Sequence, residues 1–218
     1  MTPLRALART LRGEGLVPAA MLSAGPDDPV PAGTRTLALI SPREPAFWPH
    51  FRAAPEFSDG LPDPLDRWSR RVIGAVAARH GAVSLFPFDG PPYLPFQAWA
   101  LRSGRIWRSP TGLLVSRGSG LYVSFRGALA FPWALTLRSG RASPCETCRA
   151  LPCLNACPVG AHTAAAPYHV LACHAHLATP AGRDCLDQGC AVRRACPSGA
   201  RAQRDPAQSA FHMRAFQS

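Results

Sequence analysis

Cys145-x2-Cys148-x4-Cys153-x3-Cys157-Pro158, then Cys173, then Cys185-x4-Cys190-x5-Cys196-Pro197: this stretch decides how the C-terminal third folds. All eight cysteines of the 218-residue chain lie inside it. Both runs close on Cys-Pro, and the residues that follow echo each other, Cys157-Pro158-Val159-Gly160-Ala161 against Cys196-Pro197-Ser198-Gly199-Ala200. Proline has no N–H and a fixed φ, so in each run it ends the local helix and turns the chain at the same point. The echo implies two pseudo-symmetric halves.

Thiolates at such spacings are soft ligands. A [4Fe–4S] cube needs four of them, three delivered by one local turn and the fourth from a distance, which in two-cluster proteins comes from the other motif. On that rule Cys145, Cys148, Cys153 and Cys196 form one set, and Cys157, Cys173, Cys185 and Cys190 the other. This is the layout of a ferredoxin-type module with two [4Fe–4S] clusters. Two four-cysteine zinc sites, disulfides in an oxidising compartment, or one cluster with four spare cysteines are the competing readings. The spacing departs from the ferredoxin pattern in having x4 between Cys148 and Cys153 and no CxxC in the second run. These departures bear on the pairing of ligands more than on the presence of clusters.

Working outward, 218 residues with 47% hydrophobic content suffice for one sizeable core plus a small cofactor-held module. No apolar run approaches 18 residues, so no membrane span is expected. The N-terminus has Arg5, Arg9 and Arg12 but no apolar core or small-residue cleavage site, so no signal peptide is expected and a reducing cytoplasmic location follows. The formal charge is +11 and its positive side is all arginine. Two cube clusters on thiolates, each about −2, would bring the chain to about +7. The remaining basicity permits an acidic or nucleic-acid partner without showing one.

The N-terminal part reads as mixed α/β. An amphipathic helix is expected over 3–16, with Leu4, Leu7 and Leu11 on one face. A connector over 25–33 and a strand over 34–40 follow. Residues 45–60 read as a loop whose Phe47, Trp48, Phe51 and Phe57 pin it to the core or line a planar cofactor. Asp63-Pro64-x-Asp66 starts a helix with Asp63 as cap and Asp66 at the capping-box position, and Leu65, Trp68, Val72 and Val76 form its buried stripe to about Arg79. A strand over 83–88 and a helix from Pro95 to Leu101 with Trp99 inward come next. A hairpin is expected within 111–131, its strands 112–116 and 121–125 joined by Arg117-Gly118-Ser119-Gly120. The run 127–137 is apolar and ambiguous, 138–143 is a polar linker, and the tail after Ala200 carries enough apolar residues to pack back. No dinucleotide fingerprint or P-loop occurs. His174 and His176 beside Cys173 suit tuning of a cluster or proton relay, or are ordinary satisfied surface histidines. Arg193-Arg194 would offer charge to a cluster or dock an acidic partner, or form a solvated pair.

Taken together, Pro64-Leu65-Asp66-Arg67-Trp68-Ser69-Arg70-Arg71, Phe86-Pro87-Phe88, Pro95-Phe96-x-x-Trp99-Ala100, Phe125-Arg126-Gly127-Ala128-Leu129, the cysteine block and His212-Met213-x-Ala215-Phe216 resemble an uncharacterised bacterial ferredoxin-like group. More distantly the chain resembles the core of epoxyqueuosine reductases and reductive dehalogenases, chiefly through the hairpin and the cysteines. The resemblance implies an α+β fold, with a nitroreductase-like mixed α/β domain over 1–142 and a two-cluster ferredoxin-like domain with a C-terminal tail over 143–218. It also implies a corrinoid such as cobalamin, or a flavin, on the N-terminal domain, fed with electrons from the clusters. Asp66 stands nearest to the proton-donating aspartate of epoxyqueuosine reductases, although Arg67-Trp68 follows it where Tyr-His is the pattern. The chain lacks the helical repeats that help those enzymes hold tRNA, so tRNA modification is disfavoured. The expected role is an iron–sulfur oxidoreductase or electron-transfer protein whose partner is a redox protein or a small-molecule substrate. A simple ferredoxin-type carrier and a zinc-stabilised nucleic-acid-binding module are the alternatives.

Overall fold

The computed structural model describes residues 3–134, 140–164, 166 and 168–217. In chain order its elements are α1 Pro3–Gly13, β1 Leu16–Ser23, β2 Thr36–Pro42, α2 Phe47–Arg52, α3 Pro55–Ser58, α4 Pro64–His80, β3 Val83–Leu85, α5 Phe96–Arg102, β4 Ile106–Arg108, β5 Leu114–Ser116, β6 Gly127–Phe131, α6 Val170–Leu177, α7 Arg183–Gln188, α8 Ala191–Arg194, α9 Pro197–Ala200 and α10 Pro206–Gln217. The chain is mixed α+β with two small antiparallel sheets. It divides into two compact units, residues 1–105 with 124–141, and residues 106–123 with 142–218. This grouping differs from a linear division at residue 142, because residues 106–123 go with the cysteine segment.

Unit 1 is built on a four-stranded sheet ordered β1-β2-β6-β3, antiparallel throughout. Every residue of the inner strands β2 and β6 is buried, so both read as continuous apolar runs rather than alternating ones. That settles the ambiguous run after Gly127 as a strand to Phe131, while 135–137, and 138–139 of the expected linker, lie outside the described residues. β1 carries Pro18 at a register shift between Pro18 and Ala20, tolerable because β1 is an edge strand. On α4, Leu65, Trp68, Val72, Ile73 and Val76 recur at helical spacing and are all buried. Gly81 ends the helix in the left-handed conformation at φ 63°, its N–H bonded to the Ala77 carbonyl.

Two expectations change here. Residues 45–60 are not a loop but the one-turn helices α2 and α3, too short between Pro45 and Pro55 to show a periodicity. Their aromatics pack among themselves and on α4, with Phe47 edge-on to Trp68 at 5.4 Å and Phe51 edge-on to Phe57 at 5.3 Å. Asp63 does not cap α4 through its side chain; it turns the chain at φ 51° while Pro64 supplies the first helical position.

In unit 2, β5 pairs with β4 and not with residues 121–125. The turn over 117–120 does form, closed by the mutual bonds Gly120 N–H to Ser116 O at 3.0 Å and Ser116 N–H to Gly120 O at 3.1 Å. Beyond it the ladder stops at a single bridge; Ser41 Oγ donates to the Ser124 carbonyl, and the ladder with β2 opens at Gly127. Val115, Leu121, Cys153, Val192 and Cys196 form the buried nucleus of this unit, with Cys145, Cys157 and Cys190 packed against it. The tail is the helix α10, which packs on α7. Among the described residues no helix is long and apolar enough to cross a membrane.

Candidate metal centre

Each cysteine is positioned by a short, self-closed turn. Ser143 and Glu146 form a capping box over the 3-10 turn Pro144–Thr147: Ser143 Oγ accepts from Cys145 N–H at 3.2 Å and Glu146 Oε1 from Ser143 N–H at 2.9 Å. Cys148 N–H then bonds the Cys145 carbonyl at 3.1 Å, which puts both thiols of the CxxC on one turn. The four residues before Cys153 include Leu151, left-handed at φ 41°, which redirects the chain into the 3-10 turn Pro152–Leu154.

The two Cys-Pro echoes fold alike. Gly160 N–H bonds the Cys157 carbonyl at 3.2 Å, and Gly199 N–H bonds the Cys196 carbonyl at 2.9 Å. In the first, Ala161 N–H also donates to Cys157 Sγ at 3.2 Å. His169 Nδ1 accepts from Ala172 N–H at 2.9 Å and so caps α6, whose first turn carries Cys173. Cys185 lies on α7, and Cys190 precedes α8.

All eight cysteines are free thiols. In space they fall into two groups of four. Burial pushes the thiols of Cys145 and Cys153 up, and the charges of Cys196 and Cys148 act on both. Burial likewise pushes Cys173 and Cys185 up, and Cys173 faces the charges of Cys190, Cys157 and Cys185. Cys157, Cys173, Cys185 and Cys190 line one cavity, together with apolar Val159, Leu177, Val192 and Met213 and the rings of His162 and His176. With their pKa values raised, Cys173 and Cys185 stand as neutral thiols, and a cation bound among the four would favour the thiolate form instead.

Among the described residues, no three histidine, cysteine, aspartate or glutamate side chains converge tightly enough to hold one metal ion. The buried Nδ1 of His162 and Nε2 of His176, both on the cavity of the Cys157 group, have no hydrogen-bond partner among the described residues. The His162 ring bonds the Thr111 backbone, so an anionic, sulfur-rich group in that cavity would accept from the His176 ring. The donor set, all thiolate with imidazoles beside it, therefore fits an iron–sulfur cluster in its chemistry.

The other expected site residue lies in unit 1. Asp66, in the first turn of α4, is committed to Arg126, whose Nε also donates to Ser69 Oγ at 3.0 Å. Burial pushes the Arg126 pKa down, with Asp66 opposing it, so the carboxylate serves as countercharge to a buried guanidinium. His174 packs edge-on to Phe216 at 4.5 Å. His162, 4% exposed, stacks flat on Tyr168 at 4.0 Å. Neither His162 nor Tyr168 carries a sequence signal for this placement, but Ser143-x-x-Glu146 is a legible capping box.

No family model, curated protein or solved structure matches this chain.

Proposed function

We propose that the chain is an iron–sulfur electron-transfer protein of the cytoplasm. Unit 2 would be a ferredoxin-like module with two [4Fe–4S] clusters, one held by Cys145, Cys148, Cys153 and Cys196 and the other by Cys157, Cys173, Cys185 and Cys190. The observation that carries the reading is the spatial sorting of eight free thiols into two groups of four, each drawing a member from the other sequence run. A [4Fe–4S] cluster supplies one-electron transfer, with no bond made or broken in a substrate. The chain's own part is to fix the thiolates on short turns, to exclude water around them with Val115, Leu121 and Val192, and to aim the Ala161 N–H at the Cys157 sulfur. A redox partner protein would supply the electron, and a second partner or a small molecule would take it.

Anaerobic purification followed by iron, sulfide and zinc analysis tests this. About eight irons and about eight sulfides per chain are expected, with visible absorption that bleaches under dithionite. Zinc at about two per chain without iron would replace the reading with a zinc-stabilised module. The resemblance adds a further layer: unit 1 as a nitroreductase-like domain carrying cobalamin or a flavin, which would make the protein a reductase. A spectral change when either cofactor is added to the reduced protein is the expected sign of that layer, and its absence leaves a carrier.

A further inference from the structure

Helix α6 presents a cysteine and a histidine together. Cys173 and His176 stand three residues apart on Val170–Leu177, the spacing that puts side chains on one helix face. Both line the cavity of the Cys157 group. The backbone of His176 is pinned from two directions. Its carbonyl accepts from the Thr179 hydroxyl at 2.7 Å and from the Thr179 N–H at 3.0 Å. Gly182 lies against the same carbonyl, where an added Cβ would come within 2.2 Å, so the chain closes over the end of α6 in a contact that glycine allows.

The ring held in this way lacks a partner. His176 Nε2 is withdrawn from solvent and has no hydrogen-bond partner among the described residues. A buried polar atom left unpaired is costly, and native folds keep such atoms rare. The cavity offers it little else: apart from the His162 ring, the lining is the four cysteines and apolar side chains. The neighbouring histidines are placed differently. His162 bonds the Thr111 backbone and stacks on Tyr168. His174, two positions from His176 and so on another face of α6, packs edge-on to Phe216 at 4.5 Å and does not line the cavity.

We propose that His176 is a side-chain hydrogen-bond donor to the cluster on Cys157, Cys173, Cys185 and Cys190, giving its Nε2–H to a sulfur of that group and raising its reduction potential. The proposal rests on the cluster reading above. In a neutral imidazole one nitrogen carries the proton, so Nε2–H facing sulfur leaves Nδ1 as the acceptor. One electron from the redox partner protein adds one negative charge to the thiolate-held group; no bond forms or breaks, and the proton stays on Nε2. A donor aimed at sulfur favours that more negative state, and the potential rises.

The test uses the anaerobically purified full chain, its histidines isotopically labelled at the ring nitrogens, reduced with dithionite and read by pulsed electron paramagnetic resonance. A ring-nitrogen coupling to a reduced cluster is expected. His176→Phe keeps a ring in place and removes the donor; it should abolish that coupling and move one midpoint potential to more negative values, with iron and sulfide per chain unchanged. His176→Gln, whose amide N–H donates, should restore much of the potential without the ring-nitrogen coupling. A Cys148→Ser chain, in which only the Cys157 group stays complete, should keep the coupling. Clusters present without any ring-nitrogen coupling would overturn the proposal, as would a coupling that survives His176→Phe or potentials which that change leaves unmoved. Where His176→Phe does not fold, a coupling that survives His176→Gln overturns it equally. Wild-type protein without iron and sulfide would sink the cluster reading instead, a result the elemental analysis separates from the rest.

Discussion

The exchange of one cysteine between the two sequence runs is the sharpest handle on this protein. In chain order the first four cysteines would pair, and so would the last four. In space Cys196 joins Cys145, Cys148 and Cys153, and Cys157 joins Cys173, Cys185 and Cys190. Serine in place of any one of them removes a soft ligand and should empty one group, lowering iron from about eight to about four per chain. Doubles decide the grouping. Cys145→Ser with Cys196→Ser strikes one group twice and should still hold about four irons, the two losses being wholly non-additive. Cys145→Ser with Cys157→Ser strikes both groups and should hold none. The assay is iron and sulfide per folded chain, with circular dichroism to show that α4, α6 and α10 persist. The opposite pattern, with the 145/196 double empty and the 145/157 double half full, would refute the exchange and restore pairing in sequence order.

Three further outcomes follow from the packing. Gly120 sits at φ +53° with the Gly199 backbone against it, so Gly120→Ala adds a left-handed strain and a backbone collision; a loss of about 3 kcal/mol is expected in urea unfolding, and a loss below about 1 would mean the turn is not pressed there. Asp66→Asn strips the countercharge from Arg126 and should cost roughly 1–3 kcal/mol, read as a lower melting temperature with iron content intact; unchanged stability with a reductase activity abolished would make Asp66 a proton donor instead. Asp28 is held down to about 2 by Arg102 first, with the Gly25 and Trp99 N–H groups assisting, against an ordinary value of 3.8. Its carboxylate therefore stabilises the fold above the ordinary value and loses that contribution as pH falls toward the folded one. Asp28→Asn should cost about 1–2 kcal/mol at neutral pH, with Arg102 half exposed, and the gap to wild type should close as acid is added; a gap that persists in acid would rule out the charge as its source.

How much was legible varied with range. α4 was readable nearly end to end, because Pro64, the stripe from Leu65 to Val76 and Gly81 are all local signals. Trp99 was expected inward and is fully buried. The hairpin was misplaced by one strand, since 121–125 is as apolar as 106–108 and no local signal says which segment pairs with β5. Asp66 looked like a capping carboxylate because the motif is local, yet its partner Arg126 lies sixty residues away. Arg193-Arg194 read as charge for a cluster, a docking point for an acidic partner or a solvated pair, and only the bond of Arg193 to the Leu121 carbonyl shows where its side chain goes.

By itself the sequence determined the chemistry available: eight thiols, two Cys-Pro-x-Gly-Ala turns, no lysine, and one long amphipathic helix. Those follow from residue type and short spacing, which act over a few bonds. The tertiary structure alone decided that residues 106–123 belong with the cysteines, that Asp66 meets Arg126, and that Arg193 reaches the Leu121 carbonyl. Such pairings depend on where distant backbone segments bury their apolar faces, and no local pattern encodes that outcome.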